Sequence, residues 1–269
     1  MGLAGAAVIG AGTKASAQAA GISDVDIFNF ALNLEYLEAE FYQRAAFGRG
    51  LQPGDIEGTG TLGMVDGGKQ VQFADANIGK YAVEIANDEL AHVRLLRRAL
   101  GSNAVARPAI DLGFSFTLAA RAAGLVGPND TFDAFGSDMN FLLAAFIFED
   151  VGVTAYKGAA PLISDPANLS GAARILAVEG YHAGAVRTLL YANGFYQQTQ
   201  AISDARDSLD GSSDLDQGIG DANTSNIVPS DASGQVFGRT PQEVLNIVYL
   251  NPNTQPTGFF PNGLNGTLR

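Results

Sequence analysis

The sequence predicts an all-α protein: a four-helix bundle with a long crossover between its second and third helices, followed by an irregular C-terminal arm with a short helix. Three observations carry that expectation. Four long segments place apolar residues at helical spacing between capping residues and glycines. Glu89-Leu-Ala-His92 has a second copy at Glu179-Gly-Tyr-His182. Glu35 is followed two helical turns later by Tyr42, and Glu149 likewise by Tyr156, so the chain reads as two similar helical hairpins.

At 269 residues, 46% of them hydrophobic, the chain can bury one sizeable core and still carry an appendage. The net charge of −12, with no basic cluster, leaves nothing to grip a phosphate backbone, so nucleic acid is not an expected partner. With zero Cys, disulfides, iron–sulfur clusters and thiol nucleophiles are excluded, and any metal must be held by nitrogen and oxygen.

Residues 1–20 form an apolar, then Ala- and Gly-rich leader that resembles the latter part of a secretory signal, with small-residue cleavage options after Ala17 or Ala19. That points to export to the periplasm or cell envelope; read instead as a flexible leader, it leaves the chain cytoplasmic. The apolar run is too short to span a membrane, and no other segment is expected to do so. The bundle is expected over 23–200. Ser23 can cap the first helix, Asp24 and Asp26 favour its positive end, and Gly48 stops it. Its apolar face carries Glu35 and Tyr42, and Glu38 and Glu40 fall off that stripe, onto what should be solvent. Residues 48–70 are punctuated by Gly and Pro and read as a surface loop. The second helix runs from about Phe73 to Leu100, with Tyr81, Ile85, Glu89, His92, Val93 and Leu96 on one face. The connection over 102–130 is long enough to cross the bundle and has room for a short helix near 116–123. The third helix is expected from about Phe132 to Ala160. Asp165 then caps the fourth, Pro166 takes its first position, and Gly194 ends it.

Residues 201–269 change character. Asp204–Ser233 is rich in Asp, Gly, Ser and Asn and reads as an extended or partly disordered arm. Thr240-Pro-Gln-Glu243 is a capping box that starts a short helix near 241–250, and the aromatic tail around Phe259 and Phe260 needs a partner surface.

On a helix, residues three apart share a face, so the carboxylate and imidazole of each Glu-x-x-His pair converge on one point, which is metal-ligand spacing. The plain alternative is two core histidines, each satisfied by a local hydrogen bond. It leaves the recurrence unexplained, because a given Glu offset arises by chance roughly one time in 30, and twice together about one time in 900. A Glu from each of two helices and Glu-x-x-His from each of the others supply four carboxylates and two imidazoles. Arg97 and Arg187 stand five residues beyond the two histidines and extend the repeat; like the two tyrosines, they divide between plain structural roles and support of the ligands.

The segments NLEYLEAEFY (33–42), Glu89–His92, FEDVGVTAY (148–156), Glu179–His182, TPQEVL (240–245) and GFFPNG (258–263) resemble ferritin-like proteins grouped with plant and bacterial desiccation-related proteins. The resemblance covers about residues 24–268. It implies that Glu35 and Glu149 are single-carboxylate metal ligands and that Glu89 with His92 and Glu179 with His182 complete the set. It further implies two iron ions, with two manganese ions as the alternative, and dioxygen or peroxide as the reaction partner. The chemistry that follows is iron(II) oxidation, or peroxide disproportionation on manganese, in stress or desiccation protection. Tyr42 and Tyr156 would act at the centre by tuning it or passing electrons, and Asp88 and Asp150 are candidate acceptors for the imidazoles. The acidic arm is foreign to cage-forming ferritins, so a homo-oligomer is compatible with the sequence but a cage is not expected. A non-catalytic envelope scaffold that keeps the bundle fold is the competing reading.

Overall fold

A computed structural model describes residues 21–269; the leader, and with it the expectation of export, lies outside the described residues. The bundle is formed by α1 (Asp24–Phe47), then, after the short α2 (Pro53–Ile56), α3 (Ala76–Leu100); α4 (Phe114–Ala122) lies within the crossover; α5 (Asp138–Ala159) and α6 (Pro166–Ala192) form the second half. Two helices follow outside the four-helix core, α7 (Tyr196–Asp210) and α8 (Pro241–Val248). α1 packs along α3 and α5 along α6, which makes the two hairpins of the sequence repeat.

The helix ends follow local chemistry. The Ser23 side chain accepts from the Asp26 backbone N–H while Asp26 reaches back to Ser23, and Gly48 closes α1 in the left-handed region at φ 68°, where a side chain would be strained. The side chains of Asp75, Ser137 and Asp165 accept a first-turn backbone N–H and cap α3, α5 and α6, and Thr240 with Glu243 repeats the reciprocal arrangement at α8. Loop 48–75 is tied to the crossover by a parallel two-residue pairing, with Val65 opposite Ile110. At Gly63 a Cβ would stand 2.0 Å from the Ala109 backbone nitrogen, so only glycine permits that approach.

α1 and α5 are buried on nearly every side, whereas α3 and α6 keep one face in water. The difference comes from what lies behind each pair. Phe116 of α4, Phe135 before α5 and Phe259 of the tail close over α1 and α5 around Phe41 and Phe148, with ring centroids 4.9 to 5.7 Å apart in Phe41–Phe116, Phe41–Phe135, Phe41–Phe148 and Phe148–Phe259. α5 therefore reads as apolar all round. Asp138–Leu162 is long and apolar enough to cross a membrane by length and composition, and 89% of its most apolar 18-residue window is buried inside the bundle, as in a core helix.

Some expectations are corrected. α5 begins at Asp138 rather than near Phe132, because the Ser137 hydroxyl supplies the cap. Tyr81 is exposed although Ile78, Ala82 and Ile85 on either side of it along α3 are buried. The region after residue 195 is not an extended arm throughout: α7 is a full helix, and Asp216, Ile219 and Arg239 of the following segment are buried. Phe259 and Phe260 are fully buried against the chain's own bundle, so the surface those aromatics needed is internal.

Candidate metal centre

α1, α3, α5 and α6 each turn acidic residues inward at one level of the bundle. Glu35, Glu89, Glu149 and Glu179 are all within 1% of complete burial, and His92 and His182 are nearly so. Ligand atoms of Glu35, Glu89, His92 and Glu179 lie within 4.8 Å of one another, and so do those of Glu89, Glu149 and His182. The structure thus brings together all six residues read from the sequence, and Glu89 belongs to both groups. His92 Nδ1 stands 3.3 Å from Glu35, 3.5 Å from Glu89 and 3.2 Å from Glu179. His182 Nδ1 stands 3.0 Å from Glu89 and 3.8 Å from Glu149. Both imidazoles present Nδ1 to the cluster.

These are ion-pair distances without hydrogen-bond geometry. Glu35 Oε2, Glu149 Oε2, both oxygens of Glu89 and of Glu179, and both Nδ1 atoms are buried with no hydrogen-bond partner. Unpartnered buried charge is among the costliest arrangements in a protein interior unless a cation is shared. Hard or borderline cations would take these oxygens and nitrogens, so the donor set fits carboxylate- and imidazole-bound metal.

Electrostatics agree with the geometry. Burial, with other carboxylates nearby, pushes Glu89 and Glu179 up to about 8. Burial raises Glu149 well above the usual carboxylate range despite His182 beside it. Burial would raise Glu35 too, but His92 and the Tyr156 hydroxyl bring it below its ordinary value. Burial opposes charge on both imidazoles, yet Glu35 beside His92 and Glu149 beside His182 hold both above the ordinary histidine value. A bound cation would displace those protons.

The tyrosines are exchanged between hairpins. The Tyr42 hydroxyl donates to Glu149 Oε1 and Tyr156 to Glu35 Oε1, so each serves the glutamate of the other half rather than the one on its own helix. In each case the other oxygen, Oε2, is left facing the cluster. Asp88 lies 3.1 Å from His182 Nε2, as the sequence suggested, and by accepting from an Nε2–H it would leave Nδ1 as the nitrogen for a bound cation. Asp150 does not hold an imidazole: it binds Arg187 at 2.7 Å and Arg206 at 3.2 Å. Arg187 is fully buried there, while Arg97 donates to the Tyr36 hydroxyl.

Two glutamates expected in solvent are buried. Glu40 is paired with Arg107 and with Arg44. Glu38 is 5% exposed and has no hydrogen bond among the described residues; burial and then Glu179, Glu89, Glu149 and Glu35 raise it well above the carboxylate range. It stands three residues after Glu35, a spacing that could have revealed it had α1 not been taken as one-faced.

The ferritin-like domain model matches residues 23–192. The desiccation-related protein PCC13-62 of Craterostigma plantagineum is 30% identical over 91% of this chain and 83% of its own length. The ferritin-like catalase Nec2 of Nesocodon mauritianus is 30% identical over 91% of this chain and 85% of its own length. No solved structure matches. A bundle of this topology around buried glutamates and histidines, matched along most of its length by these relatives, belongs to the ferritin-like domain family.

Proposed function

We propose that this chain is a di-metal redox protein that consumes peroxide or dioxygen in protection against drying or oxidative stress. The observation that carries the reading is the set of buried, unpartnered carboxylate and imidazole atoms shared between two overlapping ligand groups. Glu35, Glu89, His92 and Glu179 would hold one ion, and Glu89, Glu149 and His182 the other. When bound, two iron or two manganese ions supply a two-electron change at vacant coordination positions. Six protein ligands shared by two ions leave such positions, unlike a closed structural site.

The chain's own residues prepare that chemistry. Tyr42 and Tyr156 donate to Glu149 and Glu35 and so orient the ligand oxygens; we read them as positioning residues, and the electron-passing role as the finer proposal. Burial, reinforced by Glu149 and Glu35, raises both phenols well above their ordinary value, so they stay donors. Small residues surround the ligands: Ala39 and Ala145 are fully buried and Gly152 faces Glu179, which leaves approach room for a small oxidant while water is limited. The relative named as a catalase favours peroxide disproportionation, two hydrogen peroxide giving two water and one dioxygen. Iron(II) oxidation is the alternative outcome of the same centre.

Manganese- and iron-loaded protein should be compared for oxygen evolution from hydrogen peroxide and for oxidation of iron(II). Activity lost in Glu35→Ala and in Glu149→Ala supports the proposal. A fully loaded wild type silent in both assays returns the chain to a scaffold role. Export and a non-cage oligomeric state remain proposals, tested by fractionation of the native host and by the mass of the assembly in solution.

A further inference from the structure

Two narrow cavities, each of about 20 Å³, open beside α1 and α5, one toward α8 and the tail and the other toward the start of α6. Room of that size admits a water-sized molecule. Leu34, Glu38 and Gly152 line both. Every other wall is apolar except for Tyr156, so the Glu38 carboxyl is the polar group common to the two. It is 95% buried, accepts and donates no hydrogen bond among the described residues, and is left over after the six metal-facing side chains are assigned.

Gly152 lines both cavities and also faces the centre. A Cβ there would stand 3.1 Å from Glu179 Oε2 and 3.3 Å from Glu38 Oε1, so both carboxyl oxygens look onto the bare α-carbon. A missing side chain is what lets a group arriving at Glu38 reach Glu179 without crossing a methyl. Apolar walls disfavour a cation on this path and favour a small neutral molecule that makes hydrogen bonds at its end.

We propose that the Leu34–Glu38–Gly152 junction is the entrance of the centre for water-sized neutral oxidants, with Glu38 as the positioning residue that hydrogen-bonds the incoming molecule before it passes Gly152. This rests on the redox reading above for the identity of the traveller, and not for the existence of the path.

Two measurements test it. A crystal structure of the metal-free protein should show ordered water hydrogen-bonded to the Glu38 carboxyl within these cavities; a dry carboxyl, or one engaged by a protein donor, overturns the proposal whatever the loaded protein does. On iron(II)-loaded protein kept anaerobic, binding of nitric oxide, a small neutral probe, followed by stopped-flow spectroscopy reads entry apart from turnover. Leu34→Phe, which narrows both cavities without touching a ligand, should slow nitric oxide association by about tenfold or more with the equilibrium affinity held. Glu38→Gln should keep the wild-type metal content. An unchanged association rate in Leu34→Phe rules out the path, and metal lost from Glu38→Gln makes Glu38 a ligand instead. Wild type that binds nitric oxide at a rate sensitive to Leu34→Phe, yet consumes no oxidant, keeps the entrance and rejects only the redox reading.

Discussion

Glu149 and Asp150 are neighbours on α5, and they enter two buried charged clusters of opposite character. Asp150 joins a cluster that balances itself: Arg187, Arg206 and Arg239 meet Asp150, Asp210 and Asp216 at 2.5 to 3.2 Å. Spare guanidinium donors reach the Phe146, Gly218 and Asn226 carbonyls, and Arg187 and Arg206 lie over the Phe146 ring at 5.3 and 4.7 Å. Glu149 joins a cluster that cannot balance itself, because the four carboxylates facing the centre, with Glu38 behind them, have only two imidazoles for countercharge. Both are equally buried, so burial alone does not mark a metal centre. Uncompensated charge does, since the arginine cluster also leaves single atoms such as Arg206 Nε and Asp210 Oδ1 without a hydrogen-bond partner on side chains that are otherwise paired.

The sharpest way to test that contrast is to unbalance the balanced cluster. Arg206→Met leaves Asp150 and Asp216 without their shared partner and should cost about 3–5 kcal/mol in denaturant unfolding. The loss should be the same with and without metal. A loss that vanishes on metal loading would mean that the two clusters are one.

The unbalanced cluster should respond to metal instead. At manganese(II) a thousandfold over the dissociation constant, the wild type should gain about 4 kcal/mol of stability. His92→Ala with His182→Ala should erase that gain. A metal-independent melting profile in the wild type would break the comparison.

Tyr42→Phe and Tyr156→Phe each remove one donor to a ligand carboxylate, a bond to a charged group worth about 1.5–3 kcal/mol. They should weaken metal retention in chelator competition by similar amounts, since the exchange between hairpins is reciprocal. Loss confined to one of them would show that the two ion positions are built differently.

The smallest expected effect concerns the exposed junction of the hairpins. Asp24 accepts from the Ser164 and Asp165 backbone N–H groups and from Asn168, and those bonds lower its carboxyl from 3.8 to about 2. A depressed carboxyl contributes stability that is present above 3.8 and is lost as pH falls toward about 2. Asp24→Asn should therefore lower the melting temperature slightly at neutral pH, change it least near pH 2, and so flatten the acid limb in that window; an unaltered acid limb would remove Asp24 from the account.

Glu89 with His92 and Glu179 with His182 were legible because metal spacing on a helix is local and each pair falls within one turn, whereas Glu35 and Glu149 have no such local partner and rested on the Glu–Tyr repeat and the family resemblance. The caps at Ser23, Asp165 and Thr240 were legible too. What escaped the sequence was set by contacts across the chain. Glu38 and Glu40 were assigned to water because apolar periodicity assumes one buried face, and α1 is buried on almost all of them by the crossover and tail. α7 was missed for a related reason: its inward residues include Thr199, Ser203, Arg206 and Asp210, a polar face that pairs with the arginine cluster and carries little hydrophobic signal. Asp150 was given to an imidazole because Arg206 and Asp216, distant in sequence, could not be foreseen beside it.

The most direct test is the metal content of protein purified without chelator and then reloaded with manganese(II) or iron(II) under anaerobic conditions. The account predicts two ions per chain in the wild type and none in the His92→Ala, His182→Ala double variant. A wild type that stays folded with all six side chains ordered and holds no metal after reloading would contradict it.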